Sequence, residues 1–192
     1  MKKVLMIVVL LGVMLSGSCV QGFMIIESYE HYMTMNEIAP SEYIRAQSFT
    51  AGDGSGHRLL AAVSLYGYVD KSEEGSFEVK IVTTDHNLPT DTILSTGSIM
   101  TSQIPSDEAS WFTIPMSPAV LQGSTKYAFE FRVTNPHSEV HVFWRICEQL
   151  IGMYYRGDFL YYQGGIWNND PTIDFRFRIW GYDSHMAIRG MP

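Results

Sequence analysis

The densest run of side chains able to hold a ligand lies between Tyr154 and Trp167. Tyr154, Tyr155, Phe159, Tyr161, Tyr162 and Trp167 fall there, cut by Gly157, Gly164 and Gly165. Tyrosine and tryptophan combine a flat apolar face with a polar tip, which suits stacking on a sugar ring or anchoring a protein interface. Successive side chains in a strand point to opposite faces, so Tyr154 or Tyr155 must look outward. The binding candidates are therefore Tyr154, Tyr155, Tyr161, Tyr162 and Trp167. The plainer reading is that alternate rings fill a core and the others cover its edge.

Other chemistry is thinner. The six histidines, His31, His57, His86, His137, His141 and His185, are scattered. Only His137 and His141 are close, and an i, i+4 pair on an extended segment does not converge as it would on a helix, so no histidine metal site is expected. Calcium is the one cofactor with candidate ligands, the loop aspartates Asp53, Asp85, Asp91, Asp170 and Asp174. They lack the spacing of a calcium loop, and local hydrogen bonds to their own backbone explain them more simply. No cofactor is expected. There is no Gly-x-Ser-x-Gly elbow, no His-Glu-x-x-His and no phosphate-cradling glycine loop. Glu73 and Glu74 stand in a charged turn and read as solubilising. A glycosidase using carboxylates distant in sequence stays open as a remote alternative.

The elements that must position these residues are strands. In Lys126–Val133, Tyr127, Phe129, Phe131 and Val133 share one face, while Lys126, Glu130 and Arg132 share the other, the period of a strand with one buried face. The same alternation appears in 57–69, with Leu59, Ala61, Val63 and Leu65 inward and Ser64, Tyr66 and Tyr68 outward. It recurs in 76–83, with Phe77, Val79 and Ile81 inward, and in 172–182, with Ile173, Phe175, Phe177 and Ile179 inward. Val140, Val142, Trp144 and Ile146 mark a further strand. Thr84 to Asp91 reads as a polar loop, and Pro115 and Pro118 are expected to end the strand that carries Trp111 and Phe112. About ten short strands without helical periodicity predict an all-β, two-sheet antiparallel β-sandwich, jelly-roll-like, with a signal segment ahead of it.

The first residues carry the marks of export. Met1-Lys2-Lys3 is basic, Val4 to Leu15 is apolar but short for a membrane span, and Ser16-Gly17-Ser18 offers small residues for cleavage. The expected organisation is a signal peptide over 1–18, a spacer over 19–41, the sandwich over 42–182 and a tail over 183–192. Leu15-Ser16-Gly17-Ser18-Cys19 resembles the lipobox of bacterial lipoproteins, with Ser16 where that box usually has leucine. The resemblance implies lipidation of Cys19; ordinary cleavage and an uncleaved anchor remain the alternatives. With only Cys19 and Cys147 in the chain, a disulfide framework is excluded. Cys147 reads as a buried apolar residue. The net charge of −7 becomes −9 once Lys2 and Lys3 leave with the signal, which argues against nucleic acid as a partner.

From Gln47-Ser48-Phe49-Thr50 to Phe175-Arg176-Phe177-Arg178-Ile179-Trp180-Gly181 the order of features resembles the choice-of-anchor β-sandwich domains of archaeal and bacterial surface proteins. Pro89 before Ile93-Leu94, Ser110-Trp111-Phe112-Thr113-Ile114, Leu121-Gln122-Gly123-Ser124-Thr125-Lys126-Tyr127, and Trp167 ahead of Asp174 carry that resemblance. It implies an exported module at the cell surface and supplies no catalytic residues. The leading expectation is thus a non-catalytic adhesion or structural module whose partner is a cell-surface protein or glycan, with membrane contact only through the N-terminal anchor. The alternative is a carbohydrate-binding module using the aromatic platform.

Overall fold

The computed structural model describes residues 23–30, 35–39, 44–69, 75–106, 108–134, 142–148 and 154–183, with the backbone alone for 35–39 and 142–148. The expected signal segment, Cys19 and all but the first residue of the tail lie outside them.

Thirteen strands follow one another among the described residues: β1 (Met24–Tyr29), β2 (Met35–Ala39), β3 (Arg45–Thr50), β4 (His57–Val69), β5 (Ser76–Asp85), β6 (Leu88–Met100), β7 (Ser110–Gln122), β8 (Lys126–Thr134), β9 (Val142–Glu148), β10 (Phe159–Gln163), β11 (Ile166–Asp170), β12 (Ile173–Phe175) and β13 (Phe177–Asp183). They form two antiparallel sheets. Sheet A runs β1-β13-β4-β9-β12, with β7 on the free side of β4 and β2 beside β9. Sheet B runs β11-β10-β3-β8-β5-β6.

The jelly roll is visible in this order. Taken as eight strands, β1, β3, β4, β5, β6, β7, β8 and β13 give 1-8-3-6 in sheet A and 2-7-4-5 in sheet B, the interleaving of two Greek keys. Everything from β9 to β12 is an insertion between the last two strands of that roll. It widens sheet B through the β10–β11 hairpin and adds β9 and β12 to sheet A.

Between the sheets lies a core rich in phenylalanine. Phe49, Phe77, Phe129, Phe131, Phe175 and Phe177 are almost fully enclosed, with Val79 and Ile81 beside them. Phe129 meets Phe177 at 5.2 Å and Phe131 meets Phe175 at 5.0 Å, both edge to face. Lys126, Glu130 and Arg132 sit half-exposed on the outer face of β8, so the alternation read from the sequence assigns that strand's faces as they are found.

Four readings of the sequence need correction. The segment read as a spacer supplies two strands: β1 is the first strand of the jelly roll, pairs with β13 and buries Ile26 and Tyr29. A bulge between Ile25 and Glu27 breaks its alternation, which is why no period shows. In β4 a register shift at Ala61 puts Leu60 in the core and leaves Leu59 half-exposed, reversing the parity for that end. The loop over 84–91 shrinks to His86 and Asn87, both at positive φ (48° and 68°), and β6 begins at Leu88. Pro115 and Pro118 do not end β7. It is paired on one side only among the described strands and bulges against β4 there, two situations in which a missing N–H costs nothing.

Candidate functional site

The five aromatic residues singled out from the sequence do not form one platform. Tyr154 is buried: its ring meets Phe177 edge to face at 5.2 Å and Tyr29 at 5.8 Å, and its hydroxyl accepts the Thr50 N–H at 3.2 Å. Burial pushes its phenol well above the usual range. Tyr155, next along, is 90% exposed. Tyr161 packs on the main core beside Phe159. Tyr162 and Trp167 face each other across the hairpin on the outer face of sheet B, rings 5.3 Å apart at 65°.

The glycines in this run have two different uses. Gly164 and Gly165 turn the β10–β11 hairpin with φ of 63° and 88°, values that favour glycine. Gly157 instead permits a close approach, since a Cβ there would lie 1.8 Å from the Ser48 carbonyl oxygen. The segment can therefore lie against β3, where Ser48 N–H donates to Asp158 O and Asp158 N–H to Ser48 Oγ. That docking carries Tyr154 into the core.

A buried polar set fixes the same segment. Asp174 accepts the Tyr154 N–H at 2.8 Å on Oδ2 and Gln47 Nε2 at 2.9 Å on Oδ1, while Gln47 Oε1 accepts the Phe175 N–H at 3.1 Å. Burial pushes the Asp174 carboxyl up to about 7, against the two hydrogen bonds that favour its charged form. Beside it Arg156 reaches Glu27 of β1 at 3.2 Å, Asp53 at 2.9 Å and the Gly52 carbonyl at 2.5 Å. Burial holds the Glu27 carboxyl above its ordinary value even with Arg156 alongside.

A second aromatic array, not singled out from the sequence, stands on the outer face of sheet A. Phe23 stacks on Trp180 at 5.1 Å with the rings 2° from parallel. The Arg178 guanidinium lies 6.0 Å from the Trp180 ring centre and 3.9 Å from that of Trp111. Arg176 follows, 5.3 Å from Trp111 and 4.2 Å from Tyr66. Rings and guanidinium groups thus alternate along the face, each cation between two aromatic surfaces.

This ladder is held in place from below and from the side. Trp180 Nε1 donates to Ser64 Oγ at 2.7 Å, and Ser64 and Thr113 share a 2.7 Å hydrogen bond between β4 and β7. Glu30 takes both Nε and Nη2 of Arg178, at 2.7 and 2.6 Å, and that hydrogen bonding lowers the Glu30 carboxyl pKa. Arg176 has no such carboxylate among the described residues, and its Nε is buried without a hydrogen-bond partner there. The sequence marked Tyr66, Arg176 and Arg178 as outward. Their neighbourhood depends on the register of β13, β4 and β7, which alternation does not supply.

The remaining candidates stay apart. Asp170 accepts its own turn, from the Thr172 N–H and hydroxyl, Asp53 is held by Arg156, and Asp85 lies 2.9 Å from the His86 ring. Asp91 is exposed on β6. Among the described residues no three His, Cys, Asp or Glu side chains gather closely enough to hold a metal ion. His31, His137, His141 and His185 lie outside them, and Cys147 is in β9, where the backbone alone is described. A cavity of about 30 Å³ opens on the outer face of sheet B among Ile44, Glu78, Lys80, Glu130 and Arg132, room for water and not for a sugar ring. No known protein family and no curated protein matches the chain in sequence.

Proposed function

We propose that this chain is an exported, surface-held binding module without catalytic activity, and that it engages a protein partner through the outer face of sheet A. The observation that carries the reading is the ladder Phe23–Trp180–Arg178–Trp111–Arg176–Tyr66, whose rings and cations are fixed in place before any partner arrives. Aromatic and arginine side chains are the residue types that dominate interface energetics, and rigidity lowers the ordering cost of binding. The carboxyls that burial raises at Asp174 and Glu130 do not suggest a reaction centre. Asp174 is enclosed with both oxygens already accepting N–H groups, and Glu130 is raised by burial on the opposite sheet beside Lys80 and Arg132.

Because the guanidinium groups lie over the ring faces, the ladder offers a partner ring edges and cationic rims more than open stacking faces. That favours a protein over a sugar on sheet A. The carbohydrate-binding alternative rests on Tyr162 and Trp167, the outward pair on sheet B. Two variants separate the readings. Arg176→Glu should abolish retention of a surface-protein partner by the purified chain while leaving its melting temperature within a few degrees, and unchanged retention would remove the ladder from the function. Binding on a glycan array that Trp167→Ala eliminates would instead establish the sugar reading.

A further inference from the structure

One end of sheet A is apolar toward solvent. Phe23 is 52% exposed and Val120 56%, with Met24 and Ile25 each at 39%. Strand register brings them to one end of the sheet, on both of its sides: Met24 pairs with Gly181, Gly181 with Leu60 and Leu60 with Ala119 on the core side, while Tyr182 pairs with Leu59 and Leu59 with Val120 on the outer side. Phe23 also lies against Tyr182, 5.6 Å between ring centres, and against Trp180. Four exposed apolar side chains backed by two amphipathic rings thus share the end of the sheet where β1 begins.

The chain ahead of β1 says what would lie there. Phe23 is four positions after Cys19 and eight after the end of the apolar run Val4–Leu15. At about 3.3–3.6 Å per residue, the tether from Cys19 to Phe23 spans no more than about 14 Å even when fully extended. A membrane attachment on either side of that tether therefore keeps this end within reach of the headgroup layer. Consecutive exposed Phe, Met and Ile side chains beside a tryptophan and a tyrosine have the composition that settles at the boundary of headgroups and acyl chains.

We propose that Phe23, Met24, Ile25 and Val120, with Trp180 and Tyr182 behind them, form a lipid-facing surface that seats the sandwich directly on the bilayer. The partner is the lipid surface itself, not a second protein. Seated in this way, the module stands with sheet A rising from the membrane, and the Arg178–Trp111–Arg176–Tyr66 part of the ladder lies above the headgroups, open to the partner proposed above. The proposal rests on the reading that the chain is held through its N-terminal segment.

Methionine oxidation by hydroxyl radicals tests it with an internal reference. Met24 and Met100 have similar exposure, 39% and 46%, but Met100 closes β6 at the opposite end of the sandwich, paired with Ser76. The full chain is reconstituted into phosphatidylcholine vesicles, floated on a gradient, and compared with the same chain in detergent over a range of protein concentrations. Met24 oxidation should fall about five-fold or more in the floated vesicles, as expected of a side chain at the interfacial depth of a surface-seated segment, while Met100 oxidation stays unchanged. The double substitution Phe23→Ser, Val120→Ser should restore Met24 oxidation without loss of flotation. Flotation without selective Met24 protection overturns the lipid-facing surface and leaves the anchor standing, whereas a chain that does not float overturns both. Protection that survives the double substitution, or that grows with protein concentration in detergent, assigns Met24 to tether crowding or to a second copy and likewise overturns the proposal.

Discussion

The aromatic run of 154–167 and the ladder on sheet A are opposites. The first is contiguous in sequence and dispersed in space, with Tyr154 in the core, Tyr155 in solvent, Tyr161 at the core edge, and Tyr162 with Trp167 on the far side of sheet B. The second draws from four separate parts of the chain and is continuous in space. In a sandwich, neighbours across a sheet come from strand register, so a cluster along one segment is divided between faces by the pleat. Side chains that meet on a face come from different strands.

That contrast can be broken most forcefully at Tyr154. Tyr154→Ala should cost about 3–5 kcal/mol, as for other large aromatic side chains removed from a packed core, and denaturant melts measure it. A loss under about 1 kcal/mol would return Tyr154 to the surface and restore the sequence cluster as a platform.

The polar set that draws Tyr154 inward predicts a dependence on pH. The Asp174 carboxyl is raised in the folded chain to about 7 from an ordinary 3.8, so between those values the folded state holds a proton that the unfolded state has released. Stability from this group is present below about pH 4, falls as pH rises toward 7 and is flat above, a loss on the order of 2–4 kcal/mol across the window. Asp174→Asn leaves one N–H donor without an acceptor and should be less stable by about 1–3 kcal/mol at pH 4, where the wild-type carboxyl keeps its proton. The difference between wild-type and variant melts should nonetheless narrow with rising pH. A constant difference from pH 4 to 8 would mean that Asp174 does not titrate there.

Within the ladder the sharpest measure is a double-mutant cycle on Trp111→Ala and Arg178→Ala. The coupling should be about 0.5–1 kcal/mol, the scale of a cation–π contact near the surface. Zero coupling would reduce the ladder to side chains that happen to be adjacent. Smallest of all, Tyr155→Ala and Tyr162→Ala should each stay within about 0.5 kcal/mol of wild type in stability, and a larger loss would place those rings in packing that their exposure does not suggest.

Most of the architecture was legible because alternation survives wherever a strand has one dry face, as in Phe77-Val79-Ile81 and Tyr127-Phe129-Phe131. It failed where a bulge changes parity, at Ile25–Glu27 and at Ala61, and there a strand looked like a spacer and Leu59 was assigned to the wrong side. The rule that proline ends a strand failed at Pro115 and Pro118 because β7, paired with β4 alone among the described strands, also has a bulge to hold them. The candidate site was the least legible part. Tyr154 reads as a binding residue from its type, and only the close approach at Gly157 and the carboxylate of Asp174, far along the chain, decide that it turns inward.

The pairing of β1 with β13 also governs how the molecule can fold. The first strand of the roll has no sheet to join until the last has been made, and the Glu30–Arg178 contact that accompanies the pairing joins residues 148 apart. Closing so long a loop brings a large entropic cost before any contact compensates, which slows the search for the native pairing. Sheet A is therefore closed only once its C-terminal strand is available, because β1 pairs with β13 alone among the described strands.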